Sequence, residues 1–149
     1  MKKHYLSTAL VSAALLSSAM SVSVSADVES QIKHREATME AIGGHFSSVF
    51  ATLKSPEALG DENQFHAESI ARLARIAVER FPEGSGDGET DALPAIWEKP
   101  EEFKKAMDAF VTKADAFAVA SKSGDLKSFA GAAKELGGTC KGCHDDFKD

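Results

Sequence analysis

The sequence predicts an all-α fold, an antiparallel four-helix bundle. Along four long segments, apolar residues recur at intervals of three, four or seven, which is the period of an amphipathic helix. Strand-like alternation of apolar and polar residues is almost absent, and the segments are joined mostly by short turns. Short connections favour antiparallel neighbours, and bundles of this kind place ligand and cofactor sites between facing helices.

The N-terminus predicts a secretory signal peptide over residues 1–26. Lys2 and Lys3 precede an apolar run, and Val24-Ser25-Ala26 supplies the small residues that a signal peptidase reads. The alternative is a buried N-terminal helix, but no charged residue lies between Lys3 and Asp27, and a soluble helix needs a polar face. No later segment is long and apolar enough to span a bilayer. We therefore expect a periplasmic protein that begins at Asp27 and does not insert into the membrane after cleavage.

The charge of the mature chain argues against nucleic acid as a partner. Cleavage removes Lys2 and Lys3 and no acidic residue, which leaves 15 Lys and Arg against 23 Asp and Glu. Nucleic-acid binding depends on clustered cations that neutralise phosphates. Residues 27–149 are enough chain for one domain with its own core.

The first helix is predicted over residues 27–54. Its apolar stripe consists of Ile32, Met39, Ile42, Phe46, Val49 and Leu53. Gly43 and Gly44 interrupt this helix, and each costs roughly 1 kcal/mol relative to alanine. Two explanations remain open at this stage: a kink or tight helix crossing, or the close approach of a cofactor edge.

The second helix is predicted from Asp61 and stops before Pro82. Asp61 and Glu62 lie in its first turn, where the helix dipole favours anions. Its stripe consists of Phe65, Ile70, Leu73, Ile76 and Ala77. Residues 82–94, rich in glycine and acidic residues, are expected to form a loop.

The third and fourth helices complete the bundle. Pro100 suits the first turn of the third, and Ser123-Gly124 ends it. Its stripe consists of Phe103, Met107, Phe110, Ala114 and Phe117. Asp125 is a suitable N-cap for the fourth helix. The stripe of that helix consists of Leu126, Phe129, Ala133, Leu136, Cys140, Cys143 and Phe147.

The segment Cys-Lys-Gly-Cys-His, residues 140–144, holds both cysteines of the chain and has four interpretations. A disulfide suits an oxidising compartment, but it would close only a very short loop and stabilise little. A thioredoxin-like redox pair belongs beside a βαβ unit, which this sequence does not predict. A zinc site would have to recruit further ligands from other helices, the candidates being His34, His45 and His66.

Covalent haem attachment is the fourth interpretation and the one that the motif favours. Residues three apart lie on one face of a helix, so two thiols there can add to the two vinyl groups along one porphyrin edge. The next residue can then serve as an axial ligand of the iron. On this interpretation Cys140 and Cys143 are thioether anchors and His144 is the proximal ligand.

The sequence resembles the cytochrome c′ family, including its low-spin relatives, along the whole mature chain. The resemblance is carried by REATMEAIGGH in the first helix, by AIW followed by EEFKKAM, and by LGGTCKGCHDDFK at the end. It implies a four-helix bundle with one covalent haem c per chain, whose iron is often five-coordinate. It also implies a homodimer packed through the first two helices.

The resemblance implies roles for several further residues. Arg35 would pair with a haem propionate, and Met39 would face the distal side of the iron. Lys148 stands where many relatives have arginine, and Phe147 where tyrosine is common. Trp97 matches a tryptophan that neighbours the haem in the family, although it could equally be a core residue.

The expected function follows from the state of Met39. If Met39 does not bond to the iron, the haem is high-spin and binds nitric oxide and carbon monoxide, with protection against nitric oxide as the role. If Met39 bonds, the protein is a low-spin electron carrier with His144 and Met39 as axial ligands, serving an unidentified redox partner. A non-haem helical module with a Cys140–Cys143 disulfide is the remote alternative. No residues suited to hydrolysis or group transfer are evident, so we do not expect an enzyme.

Overall fold

The computed structural model describes residues 16–53, 55 and 60–149, with side chains from Asp27 onward. The described part of the chain is all-helical, and the predicted four-helix bundle is confirmed. In the described part of the chain, the only strand-like pairing is an isolated bridge between Ala92 and Lys148. The helices are α1 (Leu16–Thr52), α2 (Asp61–Val78), a short α3 (Ala95–Glu98), α4 (Pro100–Ala120) and α5 (Leu126–Phe147).

The helices differ from the sequence prediction at several points. Helix α1 begins at Leu16 and runs across the predicted cleavage site, α2 ends at Val78, and α3 was not predicted. Residues 1–15 and the side chains of residues 16–26 lie outside the described part of the chain, so the signal peptide stays a prediction. No helix in the described ranges has the length and apolar character needed to cross a membrane.

The turn between α4 and α5 is built as the sequence predicts. Gly124 adopts a φ of 70°, which a residue with a Cβ rarely takes. Asp125 then accepts hydrogen bonds from the backbone N–H groups of Lys127 at 3.0 Å and Ser128 at 3.3 Å. These contacts satisfy two donors that have no partner within the helix, and they fix the start of α5.

Near the turn between α4 and α5, the core is closely packed around two aromatic rings. Phe117 of α4 and Phe129 of α5 are fully buried and stack with their ring centroids 4.9 Å apart. The apolar stripes predicted for α1, α4 and α5 supply most of the remaining core. Its other members include Ile42, Val49, Ile70, Ala74, Met107, Phe110, Ala114, Ala133 and Leu136. The stripe predicted for α2 was partly wrong, because Phe65 and Ile76 are 61% and 41% exposed and the alanines of α2 pack in their place; Leu126 at the start of α5 is exposed as well.

The bundle is packed along three of its four sides. Extensive contacts join α1 to α2, α2 to α4, and α4 to α5, whereas α1 and α5 share no comparable packing among the described residues. Residues 82–94, which we call the strap, connect α2 to α3 and reach both α1 and the end of α5. This arrangement leaves a cavity between α1 and α5.

Candidate functional site

The cavity has a volume of about 490 Å³ and is lined mainly by apolar side chains. Its size is that of a pocket for a small molecule or cofactor. All the residues predicted to bind the cofactor line it, and they come from α1 and α5. The lining includes Arg35, Met39, Ile42, Gly43 and Phe46 of α1, Phe103, Met107 and Phe110 of α4, and Leu136, Cys140, Cys143, His144 and Phe147 of α5.

Cys140 and Cys143 face this cavity as two half-buried free thiols. Burial raises the pKa of Cys140, and it raises the pKa of Cys143 to about 11 with a further contribution from Cys140 and Asp146. Both thiols are therefore protonated at neutral pH in the haem-free chain. Since the thiolate is the form that binds metal ions, these surroundings disfavour a zinc site and suit an apolar partner.

The alternatives to haem attachment find no support in the geometry. Cys140 and Cys143 are not joined as a disulfide. Among the described residues, no group of three or more His, Cys, Asp and Glu side chains is arranged so that it could hold a metal ion. His34, His45 and His66, the candidate recruits for zinc, do not line the cavity that holds the cysteines.

Arg35 is buried in the wall of the cavity, with only 3% of its surface exposed. Its guanidinium donates to the strap, through Nη1 to Ser85 Oγ at 2.9 Å and through Nη2 to the Ser85 carbonyl at 3.0 Å and Thr90 Oγ1 at 2.8 Å. The guanidinium also lies 5.0 Å from the ring centroid of Phe81. The sequence analysis missed this anchoring role, because nothing in the sequence pairs Arg35 with residues about 50 positions away.

The role of Arg35 toward a haem propionate stays a prediction. The four hydrogen bonds of its side chain come from Nη1 and Nη2, the fourth being a long one of 3.4 Å to the carbonyl of Arg80. The Nε–H donor is not among them. With the Nη hydrogens engaged in this way, Nε–H is the donor that Arg35 would offer to a carboxylate at the cavity.

Lys148 binds the other end of the strap. Its Nζ lies 2.8 Å from Asp91 Oδ2, and this hydrogen bond holds the pKa of the Asp91 carboxyl below its usual range. Backbone bonds reinforce the contact, from Leu93 N–H to the Phe147 carbonyl at 3.0 Å and from Asp149 N–H to the Asp91 carbonyl at 2.9 Å. Lys148 therefore ties the strap to the end of α5.

Two methionines line the cavity, of which the sequence analysis singled out one. Met39 is half-buried on α1, whereas Met107 lies on α4 and is 2% exposed. Met107 was predicted only as a member of the α4 stripe. The period of α4 places it on the core-facing side, but only the packing of four helices shows that this part of the core opens into a cavity.

An aromatic wall closes the cavity between the strap and α5. Phe81 and Phe103 meet edge to face with centroids 4.7 Å apart, and Phe103 meets Phe147 in the same way at 5.2 Å. Trp97 is not part of the lining. Its Nε1 donates to the Pro82 carbonyl at 3.1 Å, so it supports the strap from outside.

Gly43 lines the cavity, and Gly44 is exposed. A Cβ added at either position would meet no atom within 4 Å. A tight helix crossing within the chain therefore does not explain these glycines. At Gly43, the bare backbone faces the cavity, which agrees with the hypothesis of a cofactor edge.

The fold and the cavity together define a class of protein. A four-helix bundle whose last helix presents Cys-x-x-Cys-His to an apolar cavity is a c-type cytochrome. The apolar lining, the paired thiols and the adjacent imidazole all fit a covalently attached porphyrin.

Comparison with known proteins gives the family. The sequence model described as Cytochrome C′ matches residues 30–148, and this chain belongs to the cytochrome c′ family and binds haem c covalently. Cytochrome c′ of Pararhodospirillum photometricum is 35% identical over 83% of this chain and 100% of the relative. Cytochrome c-556 of Agrobacterium tumefaciens is 34% identical over 79% of this chain and 96% of the relative.

Solved structures agree with this assignment. Cytochrome c prime from Shewanella frigidimarina has 35% sequence identity and a TM-score of 0.78, covering 82% of this chain and 96% of that one. The nitric oxide complex of a leucine-to-isoleucine mutant of cytochrome c prime from Alcaligenes xylosoxidans has 25% identity and a TM-score of 0.75, covering 82% and 96%.

Proposed function

We propose that this protein is a periplasmic cytochrome whose haem is high-spin and five-coordinate and binds nitric oxide, and also carbon monoxide. Its role is to bind nitric oxide and protect against it. When bound, the haem supplies an iron that takes up a diatomic gas and exchanges an electron. His144 of α5 would hold the iron, Cys140 and Cys143 would hold the porphyrin edge, and side chains of α1 would line the cavity around it.

The observation that carries this proposal is that α1 lines the cavity with apolar side chains beside the charged Arg35, Glu36 and Glu40. Ile42 and Phe46 stand there beside Met39, and none of the described histidines other than His144 lines the cavity. An apolar pocket excludes water while it admits a small uncharged gas. The relative from Alcaligenes xylosoxidans supports the proposal, since its solved structure is a nitric oxide complex.

An electron carrier with His144 and Met39 as axial ligands is the second candidate. The position of Met39 in the cavity lining favours it, because a thioether ligand raises the reduction potential of a haem. In that case Met39 would have to leave before a gas could bind.

Visible spectra of the ferrous and ferric protein, together with EPR spectra of the ferric protein, separate the two candidates. We expect high-spin spectra for the wild type and for Met39→Leu, which keeps the side-chain volume but removes the sulfur. Met107→Leu is the matched control, since Met107 is the other methionine of the cavity. A low-spin wild type that becomes high-spin in Met39→Leu and not in Met107→Leu would replace our proposal with the electron carrier.

We further propose a homodimer packed through α1 and α2. Phe50 of α1 and Phe65 of α2 are 50% and 61% exposed, and burying such rings between subunits stabilises a symmetric contact. Phe65→Ser should therefore shift the protein toward a monomer, whereas Val119→Ser, at an exposed site on α4, should not. Light scattering at micromolar concentration measures this, and a wild type that is monomeric at every concentration would contradict the dimer.

A further inference from the structure

A second apolar cleft lies behind one wall of the haem cavity. It has a volume of about 260 Å³ and forms where the end of α2, α3 and the start of α4 meet. Four residues line both spaces, namely Phe81, Ile96, Phe103 and Met107. From this shared wall we propose that the cleft binds small uncharged apolar molecules and is the place from which a diatomic gas enters the haem cavity. The entry step rests on the function proposed above.

The cleft recognises its ligand by apolar contact rather than by hydrogen bonds. Its two polar side chains already have partners: Trp97 Nε1 donates to the Pro82 carbonyl at 3.1 Å, and Lys104 Nζ donates to Asp108 Oδ2 at 2.6 Å. The rest of its own lining consists of Val78 and Pro100. A charged or strongly polar ligand would lose its water here without gaining a side-chain partner. An uncharged diatomic gas has little to lose, since apolar surroundings are favourable for it.

The volume of the cleft suits a gas rather than a larger ligand. Pockets for drug-sized ligands span roughly 300–1,000 Å³, whereas an apolar cavity of roughly 150 Å³ already takes up benzene or xenon. At about 260 Å³, the cleft lies between these two sizes. It therefore has room for small apolar molecules and not for a ligand of ordinary size.

The shared wall is closed by side chains that can move. Met107 and Ile96 are only 2% and 4% exposed, so no open passage runs beside them. The ring of Phe103 stands edge to face between Phe81 and Phe147, at centroid distances of 4.7 and 5.2 Å. Methionine has three rotatable bonds, and side chains in protein interiors do change rotamer. Phe103 and Met107 are therefore the residues that would move aside when a gas molecule passes.

The cleft stays accessible in the dimer proposed above. On α2, Val78 of the cleft lies 13 positions after Phe65 of the proposed subunit contact. At 3.6 residues per turn and 1.5 Å per residue, this places Val78 about 20 Å along the helix and about 140° around it from Phe65. The other residues of the cleft belong to α3, α4 and the segment before α3, none of which is part of that contact.

Xenon tests the binding site directly, because it is an uncharged apolar atom that forms no bond to the iron. Diffraction from crystals of the haem-loaded mature protein under xenon pressure should show xenon in the cleft, against Val78, Trp97 and Phe103. Val78→Phe fills the cleft with a ring and should abolish this density. Val119→Phe is the matched control and should keep it, since Val119 is exposed on α4 and lines neither space. A wild-type cleft without xenon would overturn the proposal.

Carbon monoxide rebinding after flash photolysis of the ferrous protein tests the entry route. All variants carry Met39→Leu, so that Met39 cannot occupy the iron in either candidate function. Adding Val78→Phe should slow association by about threefold or more, and adding Phe103→Leu, which thins the wall, should speed it by a similar factor. Adding Val119→Phe should change nothing.

The competing explanation is that gas reaches the haem only from the open side of its cavity. It holds, and the entry route fails, if Val78→Phe and Val119→Phe associate at the same rate and Phe103→Leu is no faster. Unchanged haem spectra and helical circular dichroism show that each variant is folded. A failure of the function proposed above would appear elsewhere, as a low-spin spectrum of the wild type, and would leave the xenon density and these rates as expected.

Discussion

Single residues in this protein serve the cavity mainly by holding other parts of the chain. Arg35 lines the cavity, yet its hydrogen bonds run to Ser85 and Thr90 of the strap. Lys148 likewise meets Asp91. Arg35 therefore holds the strap to α1, and Lys148 holds it to the end of α5. Together these two side chains fix the cavity wall between α1 and α5, which share little packing of their own among the described residues.

Arg35→Lys should destabilise the haem-loaded protein by about 1–3 kcal/mol. A lysine ammonium cannot reproduce the hydrogen bonds of the planar guanidinium, so buried acceptors in the strap would be left without donors. Arg72→Lys, at an exposed position of α2, should change the free energy of unfolding by less than about 0.5 kcal/mol. Urea unfolding followed at the Soret band measures both. Equal effects of the two substitutions would mean that the strap contacts of Arg35 contribute nothing.

At the scale of elements, the sequence predicted what depends on helical periodicity and capping, and missed what depends on contacts far apart in the chain. The four long helices and the Asp125 cap follow from local patterns. The strap was predicted as a loop, but its attachment to α1 and α5 leaves no local signal. Helix α3 is a single turn, which is too short to show a period, and the His45–His66 contact joins positions whose separate patterns suggest only surface residues.

Two glycine substitutions should have opposite effects because their surroundings differ. A Cβ at Gly86 in the strap would lie 2.5 Å from the ring of Trp97, so Gly86→Ala should cost about 1–3 kcal/mol through overpacking. A Cβ at Gly131 of α5 would meet nothing within 4 Å, and Gly131→Ala should stabilise the helix by up to about 1 kcal/mol. Thermal unfolding of both variants checks this. A Gly86→Ala protein as stable as the wild type would show that Trp97 and the strap can move apart freely.

At the scale of the whole molecule, the bundle is built around a space that the chain alone does not fill. Packing joins α1 to α2, α2 to α4 and α4 to α5, and the fourth side opens into the cavity. Side chains such as Met107 and Phe110 are held by the core on one side and face this space on the other. The covalent haem of the family therefore belongs to the core as well as to the function.

Substitution of both cysteines that anchor the haem should therefore abolish cooperative folding as well as haem binding. An enclosed cavity costs about 24 cal/mol per Å³, which sets an upper bound on the order of 10 kcal/mol for about 490 Å³ without haem; water entering from the open side lowers this cost. Even a fraction of it is large against the roughly 5–15 kcal/mol that stabilises a typical domain. Cys140→Ser combined with Cys143→Ser should give a colourless chain that binds hydrophobic dye and unfolds without a sharp transition. Lys141→Ala, at an exposed position between the two cysteines, should keep both the colour and the cooperative unfolding. Circular dichroism melting and dye fluorescence of the two variants decide the matter: a haem-free double variant that melts sharply at the wild-type temperature would show that the helices close the cavity on their own.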